Sequence, residues 1–349
     1  MTPLRFTILL ALFLVSPIQA ADDSKKTAPL FASNDLLEVT IRGPFSTIMR
    51  VRSRDEDSPG TLTYHDPEAG DVTVELGIRT RGRFRHKEEV CPFAPLRLNF
   101  KKSSRKGTLF AGSNKLKLVT HCRNGSTPNS QALLKEHLAY RIFNKVTDNS
   151  YRVRLMRVTY VDSDRKDRKR TYFAFLIEHR EQVAKRIGFA VNSMEAAEIK
   201  LLDPVQTNLS SVFQYMIANT DFSPIRAAAG EPCCHNNVLF GDQNGAILGI
   251  PYDFDMSGIV NAPYAVPNPR FGLRNVRERL YRGRCVNNEY LGASTQAFIA
   301  RKQAIFDLIT NDEHFDKGTR KKTTRFVNDF YKTIEDPKRM QASLVKKCL

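Results

Sequence analysis

Residues 219–260 read NTDFSPIRAAAGEPCCHNNVLFGDQNGAILGIPYDFDMSGIV, and they hold the densest group of chemically useful side chains in the chain. The segment predicts two short strands, 238–240 and 246–251, joined by a Gly-Asp-Gln-Asn-Gly turn. Polar side chains flank these strands, namely Asp221, Asn236, Asn237, Asp253 and Asp255. Because Mg²⁺ prefers oxygen ligands, these carboxylates and amides can serve phosphoryl transfer.

The N-terminus predicts export. Arg5 precedes an apolar run, which Ser16 and Pro17 interrupt shortly before a plausible cleavage point ahead of Ala21. This pattern is typical of a signal peptide over residues 1–20. An apolar run of about ten residues is too short to cross a bilayer of about 30 Å. We therefore expect a periplasmic or secreted protein with no membrane span in the mature chain.

Six cysteines support the same compartment. An even number of cysteines in an exported protein predicts up to three disulfides, although six cysteines allow 15 pairings. Cys91 and Cys122 fall in the first half and the other four in the second, so we expect pairing within each half. The alternative is a metal site, but the chain has no Cys-x-x-Cys spacing and Cys233 and Cys234 are adjacent.

Hydrophobic periodicity predicts a β-rich first half and a helical second half. Alternating apolar or β-branched residues predict strands over 36–42, 48–53, 71–79, 96–100, 114–120, 152–161 and 171–178. A 3.6-residue period predicts helices over 131–146, 209–219, 295–310 and 320–334. The prediction is a β-rich N-terminal lobe with one helix, 21–180, and a helical C-terminal lobe, 181–349, that carries segment 219–260.

The charge balance is strongly basic, with 54 Lys and Arg against 37 Asp and Glu and a net charge of +17. A nucleic-acid partner is not expected, because no helix-turn-helix, zinc-finger or stacking-aromatic motif accompanies the charge. A basic exported protein is better suited to acidic proteins, phosphates or anionic envelope polymers. Two basic runs could contact such polyanions, 165–170 and 317–322.

Segment 219–260 resembles the catalytic core of the CotH-type (spore-coat protein H) atypical protein kinases. The shared order is Asn-Val-Leu-Phe, a hairpin, and then Ile-Pro-Tyr-Asp-Phe-Asp. Four upstream stretches resemble strands and the hinge of that family, at 78–82, 95–100, 115–119 and 175–178. The resemblance implies an α+β, two-lobed, protein-kinase-like fold.

The resemblance also implies roles for individual residues. Asp221 resembles the catalytic residue that accepts the substrate hydroxyl proton, and Asp253 resembles the metal ligand at the nucleotide phosphates. Asn236 or Asn237 would complete the Mg²⁺ (or Mn²⁺) shell, and Asp255 would be a second metal ligand or a structural hydrogen-bond acceptor. The implied cofactor-binding residues, for ATP or another nucleotide, are Arg81, Arg97, Lys117, Glu136 and Glu178.

Three functions stay open. The first is an exported kinase that transfers a phosphoryl or nucleotidyl group to a hydroxyl of an exported or envelope-associated protein. The second is an inactive scaffold that binds an envelope protein or polyanion, favoured by the absence of a Gly-x-Gly-x-x-Gly loop and by Asn99, where the family often has Lys. The third is a metal-dependent phosphoesterase that uses Asp253, Asp255 and His235.

Overall fold

The structure is a computed structural model, and it describes residues 27–227, 233–241, 245 and 247–349. The predicted signal peptide, 1–20, lies outside the described residues. The same holds for residue 246, the predicted start of a strand, and for 242–244 in the predicted turn.

Seven strands form a closed β-barrel in the order β1-β2-β3-β4-β5-β7-β6. Their bounds are β1 Leu37–Gly43, β2 Ser58–Asp66, β3 Gly70–Thr80, β4 Leu96–Phe100, β5 Lys115–Val119, β6 Val153–Asp162 and β7 Arg168–Ile177. Along β1, buried and exposed residues alternate strictly, which is the pattern of a strand with one face in a core. Side chains such as Leu76, Leu98 and Leu116 fill the barrel interior and are fully buried. Each stabilises the fold by roughly 1.5–3 kcal/mol relative to an exposed side chain.

The α+β class is confirmed, but the two-lobed, protein-kinase-like arrangement is wrong. β1 pairs in parallel with β6 along its whole length, from Leu37 opposite Met156 to Gly43 opposite Asp162. This pairing closes the sheet on itself, and closure removes the free edges that an open sheet would expose. The closed barrel therefore contradicts the CotH-like architecture.

Two other predictions fail in the same region. Residues 48–53 were expected as a strand, but Phe45–Val51 form a helix, α1. Strand β2 was missed because Ser58, Pro59 and Gly60 are typical turn residues, yet all three pair with β3. Pairing with β3 therefore outweighs the preference of these three residues for a turn.

The remaining described elements are mostly helical. A small sheet has the order β10-β9-β8, with β8 Val191–Asn192, β9 Asn237–Phe240 and β10 Leu248–Pro251. The other α-helices are α2 Lys102–Arg105, α3 Thr127–Val146, α4 Arg180–Ile187, α5 Pro204–Met216, α6 Leu291–Ala300, α7 Lys302–Thr310, α8 Lys317–Ile334 and α9 Pro337–Ser343. Short 3₁₀ turns cover Pro29–Phe31, Ser163–Arg165, Ile199–Leu201, Pro269–Phe271, Cys285–Tyr290 and Val345–Lys347.

A second apolar core lies outside the barrel. Phe175 of β7 packs there with α3, α5 and the C-terminal helices, and Phe143 stacks on Phe213 with ring centroids 4.4 Å apart. Phe254, directly after Asp253, packs against Phe213 in the same core. This core therefore holds in place the segment around Asp253, where the candidate site lies. The division into lobes at residue 180 stays a prediction.

The cysteines pair within each half of the chain, as predicted. Cys91 pairs with Cys122 and Cys285 with Cys348, and the adjacent Cys233 and Cys234 also lie at bonding distance. Three disulfides fit an exported protein. In the part of the chain that the structure describes, no helix combines the length and apolar character needed to cross a membrane.

Candidate functional site

The candidate site begins where β10 ends. Asp253 has a φ of 62°, in the left-handed region that non-glycine residues rarely adopt. Its backbone N–H donates to the Tyr140 hydroxyl on α3 at 2.8 Å, and Tyr140 is buried. A conformation of this kind costs of order 1–3 kcal/mol and persists where the surroundings fix it, often at functional sites. Here the hydrogen bond to Tyr140 and the burial of Phe254 hold Asp253 in this conformation.

A buried arginine holds the carboxylates around Asp253. The Arg85 guanidinium lies 3.1 Å from Asp253 Oδ1, 3.0 Å from Asp255 Oδ2 and 3.1 Å from Glu136 Oε2. Burial raises the pKa of Glu136 to about 8 and that of Asp255 to about 6. The pKa of Asp253 is lowered, against its burial, by Arg85, Arg81 and Lys117. Asp253 is therefore the carboxylate of this cluster whose charged form the neighbouring cations favour most.

A second group of polar side chains surrounds Asp221. Its Oδ1 lies 2.7 Å from His235 Nε2, and Asn236 Nδ2 donates to its Oδ2 at 3.0 Å and to its carbonyl at 2.7 Å. The hydrogen bond to Asp221 raises the pKa of His235, and the charge of Asp253 raises it further. Arg282 fixes the loop by donating to the carbonyls on either side of Asp221, at 2.8 and 2.7 Å. Asp221 and His235 thus form a pair that can exchange a proton.

The structure separates the two candidate asparagines. Asn236 precedes β9 and its carbonyl accepts the Tyr252 N–H at 3.1 Å, next to Asp253. Asn237, the next residue, is 3% exposed and its side chain faces Gly249 across the β9–β10 pair. Asn236 Nδ2 bonds Asp221, and its carbonyl accepts from the residue before Asp253, so Asn236 is the amide that lies beside these two aspartates.

Three basic side chains of the barrel lie beside this group. Lys117 Nζ sits 4.1 Å from the centre of the Tyr252 ring, and Arg97 pairs with Lys117 across β4 and β5. Burial and the neighbouring Arg81 lower the pKa of Lys117 to about 7, while Asp253 raises it. Arg81 Nε is buried and has no hydrogen-bond partner among the described residues. Of these cations, Arg81 and Lys117 act on the charge of Asp253, and they could also contact an anion that binds beside it.

Other predicted site residues have structural partners. Glu178 forms a buried ion pair with Arg186 at 2.9 Å, at the junction of β7 and α4. Glu136 binds Arg85 rather than a strand lysine, and Asp255 also accepts from the Tyr264 hydroxyl at 3.2 Å. Arg85 itself was missed, because it lies in a polar run without periodicity and only its burial reveals its role.

The fit of a metal ion rests on the oxygens around Asp253. Within residues 27–227, 233–241, 245 and 247–349, no group of three or more His, Cys, Asp or Glu is arranged to hold a metal. The donors that could do so are a carboxylate and an amide, Asp253 and Asn236. Neither Asp253 Oδ2 nor Asn236 Oδ1 has a hydrogen bond within the described part of the chain, since only their partner atoms Oδ1 and Nδ2 are engaged. These hard oxygens fit Mg²⁺ with water completing its shell.

Anion binding at this site is expected to depend on the charge of Lys117. As pH rises through about 7, Lys117 loses its proton, so the affinity for sulfate should fall. We expect a decrease of about tenfold between pH 6 and 8.5, since one charge-assisted contact is worth roughly 1.5 kcal/mol. Sulfate keeps its charge over this range, and amide chemical shifts during a titration would give the affinity.

Lys117→Arg is the control for this prediction, because a guanidinium stays charged over the whole range. Its sulfate affinity should fall less with pH than that of the wild type, because Asp255 and Glu136 still titrate but residue 117 does not. If both proteins show the same pH profile, Lys117 does not contact the anion.

Comparison with known proteins gives no family for this chain. None of the protein-family models matches it, and no curated protein is significantly similar to it. The CotH resemblance therefore has no support from these comparisons and is contradicted by the closed barrel.

Proposed function

We propose that the protein is an exported, metal-dependent phosphotransferase, which moves a phosphoryl group from a nucleotide to a hydroxyl of a protein. The observation that carries the proposal is the position of Asp253. Its charged carboxylate interacts with the cations Arg81 and Lys117 and with His235, which is bonded to Asp221. Phosphoryl transfer needs charge neutralisation on the donor and a base at the acceptor.

The phosphates would bind at the barrel strands. Arg81 and Lys117 have no ion-pair partner among the described residues, and Arg97 extends the positive region across β4. Phosphate oxygens accept strong hydrogen bonds from guanidinium and ammonium groups. The cations are therefore suited to the negative charge of a di- or triphosphate.

The metal would be held by Asp253 and Asn236. When bound, Mg²⁺ (or Mn²⁺) neutralises charge on the transferred group and its neighbouring phosphate. Asp253 is prepared for this because Arg85 and Tyr140 fix both its side chain and its backbone. Arg85 orients the carboxylate through Oδ1 and leaves Oδ2 for a ligand.

Asp221 would accept the proton of the attacking hydroxyl. Its oxygens already accept one hydrogen bond each from His235 and Asn236, and a carboxylate oxygen has room for a second. These bonds orient the carboxylate, which would hold the proton until it passes to water. A positioned base of this kind contributes typically 10²–10⁴-fold to a rate.

Export supports a protein acceptor outside the cytoplasm. The three disulfides fit an oxidising compartment, where other exported or envelope-associated proteins supply hydroxyl side chains. The proposal does not depend on a protein-kinase-like fold.

Calorimetric titration with ATP and Mg²⁺ tests the nucleotide site. We expect metal-dependent binding that Lys117→Gln weakens about tenfold by removing one phosphate contact. Lys115→Gln is the matched control, because Lys115 lies on the same strand with an exposed side chain. Equal affinities in the two variants would argue against phosphate binding at Lys117.

The same titration, together with an assay of phosphate release, separates the two alternative functions. A protein that binds no nucleotide with either metal would favour the inactive scaffold. Release of inorganic phosphate without any acceptor would favour a phosphoesterase. The ligand set of the latter is not brought together, since Asp255 faces Arg85 and Tyr264 while His235 faces Asp221.

A further inference from the structure

The segment that follows Asp253 and Asp255 along the chain is rich in arginine. Residues 270–284 read RFGLRNVRERLYRGR, with six arginines and one acid, Glu278. Charges of one sign at this density repel one another. The contacts of each side chain therefore decide which arginines stay available to a partner.

Three of these arginines are occupied within the protein. Arg274 pairs with Glu278 at 2.7 Å. Arg279 donates to the Phe326 carbonyl at 2.6 Å, and the Arg277 guanidinium lies 4.7 Å from the centre of the Phe326 ring. These contacts hold the segment against α8. The other three are Arg270, Arg282 and Arg284.

Arg282 connects this segment to the proposed base. Its guanidinium donates to the carbonyls of Thr220 and Phe222, on either side of Asp221. It also lies near two aromatic rings, 4.8 Å from the centre of Phe222 and 4.7 Å from that of Phe271. The arginine-rich segment is therefore fixed beside Asp221.

Arg270 and Arg284 lie close to Arg282. Burial and the charges of Arg284 and Arg270 lower the pKa of Arg282 to about 10, while the charge of Asp221 raises it. Arg270 is exposed, Arg284 is half-buried, and neither side chain forms an ion pair or a hydrogen bond with another residue in the described ranges. Two guanidinium groups with unused donors therefore lie near the proposed base.

These three arginines, here called the arginine face, are suited to carboxylates. A guanidinium presents parallel N–H donors that match the two oxygens of a carboxylate. Because the like charges repel, a ligand with several negative groups both forms ion pairs and relieves this repulsion. The donor phosphates have their own cations at the barrel, Arg81 and Lys117, so the arginine face is left to the acceptor.

We propose that the arginine face binds an acidic stretch of the acceptor protein, in which Asp or Glu residues flank the hydroxyl that receives the phosphoryl group. That hydroxyl has to lie at Asp221, and Arg282 places the arginine face next to this position. The identity of the stretch as the acceptor rests on the proposed function. Its binding does not, because the arginine face needs neither nucleotide nor metal.

Fluorescence anisotropy measures this binding on the full oxidised protein without nucleotide. The probe is a labelled peptide with a serine between two runs of glutamate, and the comparison peptide has glutamines in their place. We expect the acidic peptide to bind at least about tenfold more tightly, because only its side chains form charge-assisted hydrogen bonds with guanidinium groups. Added salt should weaken this binding, since it screens exposed charges.

A paired substitution tests the arginine face. Arg270→Gln/Arg284→Gln should weaken the acidic peptide about tenfold and leave the glutamine peptide unchanged, since two exposed charge pairs are lost. The melting temperature should not fall, because neither side chain has a polar partner among the described residues. Arg270→Lys/Arg284→Lys keeps both charges and should retain most of the affinity.

The matched control is Arg165→Gln/Arg168→Gln. It removes two exposed arginines at the β6–β7 hairpin, which lies at the end of β7 opposite to the one that pairs with Lys117. This variant has the same change in net charge and should bind the acidic peptide as tightly as the wild type.

Transfer of phosphate from ATP and Mg²⁺ to the two peptides separates this proposal from the proposed function. Arg270→Gln/Arg284→Gln should raise KM for the acidic peptide about tenfold and leave kcat unchanged, because the lost contacts are the same in the ground and transition states. If the acidic peptide binds at these arginines and is not phosphorylated, the phosphotransferase function is wrong and the arginine face stands. The proposal is overturned if the glutamine peptide binds as tightly as the acidic one, or if the control pair weakens binding as much as Arg270→Gln/Arg284→Gln.

Discussion

Asp253→Asn is expected to lower phosphoryl transfer from ATP by about 10²–10³-fold or more while leaving the fold intact. An amide has nearly the same shape as a carboxylate, so its oxygen can still accept from Arg85 and its backbone can still donate to Tyr140. The substitution removes the negative charge that would hold Mg²⁺ at Oδ2. Removing one group that stabilises transition-state charge typically costs 10²–10³-fold.

The measurement is ADP formation from ATP and Mg²⁺ in the presence of exported proteins, with mass spectrometry to locate phosphate on acceptor hydroxyls. Asp71→Asn is the matched control, because this aspartate is largely exposed and pairs with His65 on the barrel. It should retain wild-type activity. Equal turnover by wild type and Asp253→Asn would remove the basis for the proposed function, provided that both proteins melt at the same temperature.

Much of the local structure is predictable from the sequence because it depends on short-range patterns. β4 covers the predicted residues 96–100, and α3 begins at Thr127, four residues before the predicted helix. The closure of the barrel is not predictable in this way. It depends on parallel pairing between β1 and β6, strands that are separated by more than a hundred residues. Alternation within a strand shows which face is buried and does not show which strand pairs with it.

The candidate site is likewise predictable from the sequence only in part. The order of Asp221, Asn236 and Asp253 along the chain predicts a shared site, and the structure brings Asn236 against Asp221. The choice between the two asparagines depends on the contacts of Asn236 with Asp221 and on the burial of Asn237, which the sequence does not show. Arg85 could not be found because its charge is typical of an exposed loop, whereas it is 8% exposed. Its function as the shared partner of three carboxylates appears only in the folded chain.

Arg85→Met is expected to reduce the free energy of unfolding by about 3–5 kcal/mol, the usual loss when one partner of a buried ion pair is removed. Methionine is comparable in length and fills similar space, so the main effect is electrostatic. Glu136, Asp253 and Asp255 would then lie together in a buried site without their cation. Urea unfolding at several pH values would measure the loss.

The loss of stability in Arg85→Met should also depend on pH in a defined direction. A carboxyl whose pKa is raised in the folded protein binds more protons there than in the unfolded chain, so stability falls as pH rises through that interval. Burial already raises the pKa of Asp255 to about 6 and of Glu136 to about 8, and removing Arg85 should raise both further. The deficit of Arg85→Met should therefore be larger at pH 8 than at pH 5.

Two variants make the prediction specific to the buried cluster. Arg157→Met removes an exposed arginine that pairs with Glu38, and it should cost less than about 1 kcal/mol at any pH. Adding Glu136→Gln to Arg85→Met removes a carboxyl that must take up a proton when the variant folds at pH 8, so it should restore part of the stability there. If Arg85→Met is no more destabilising than Arg157→Met, Arg85 does not neutralise the carboxylates. Asp253 would then lack the fixed neighbour on which the proposed metal site depends.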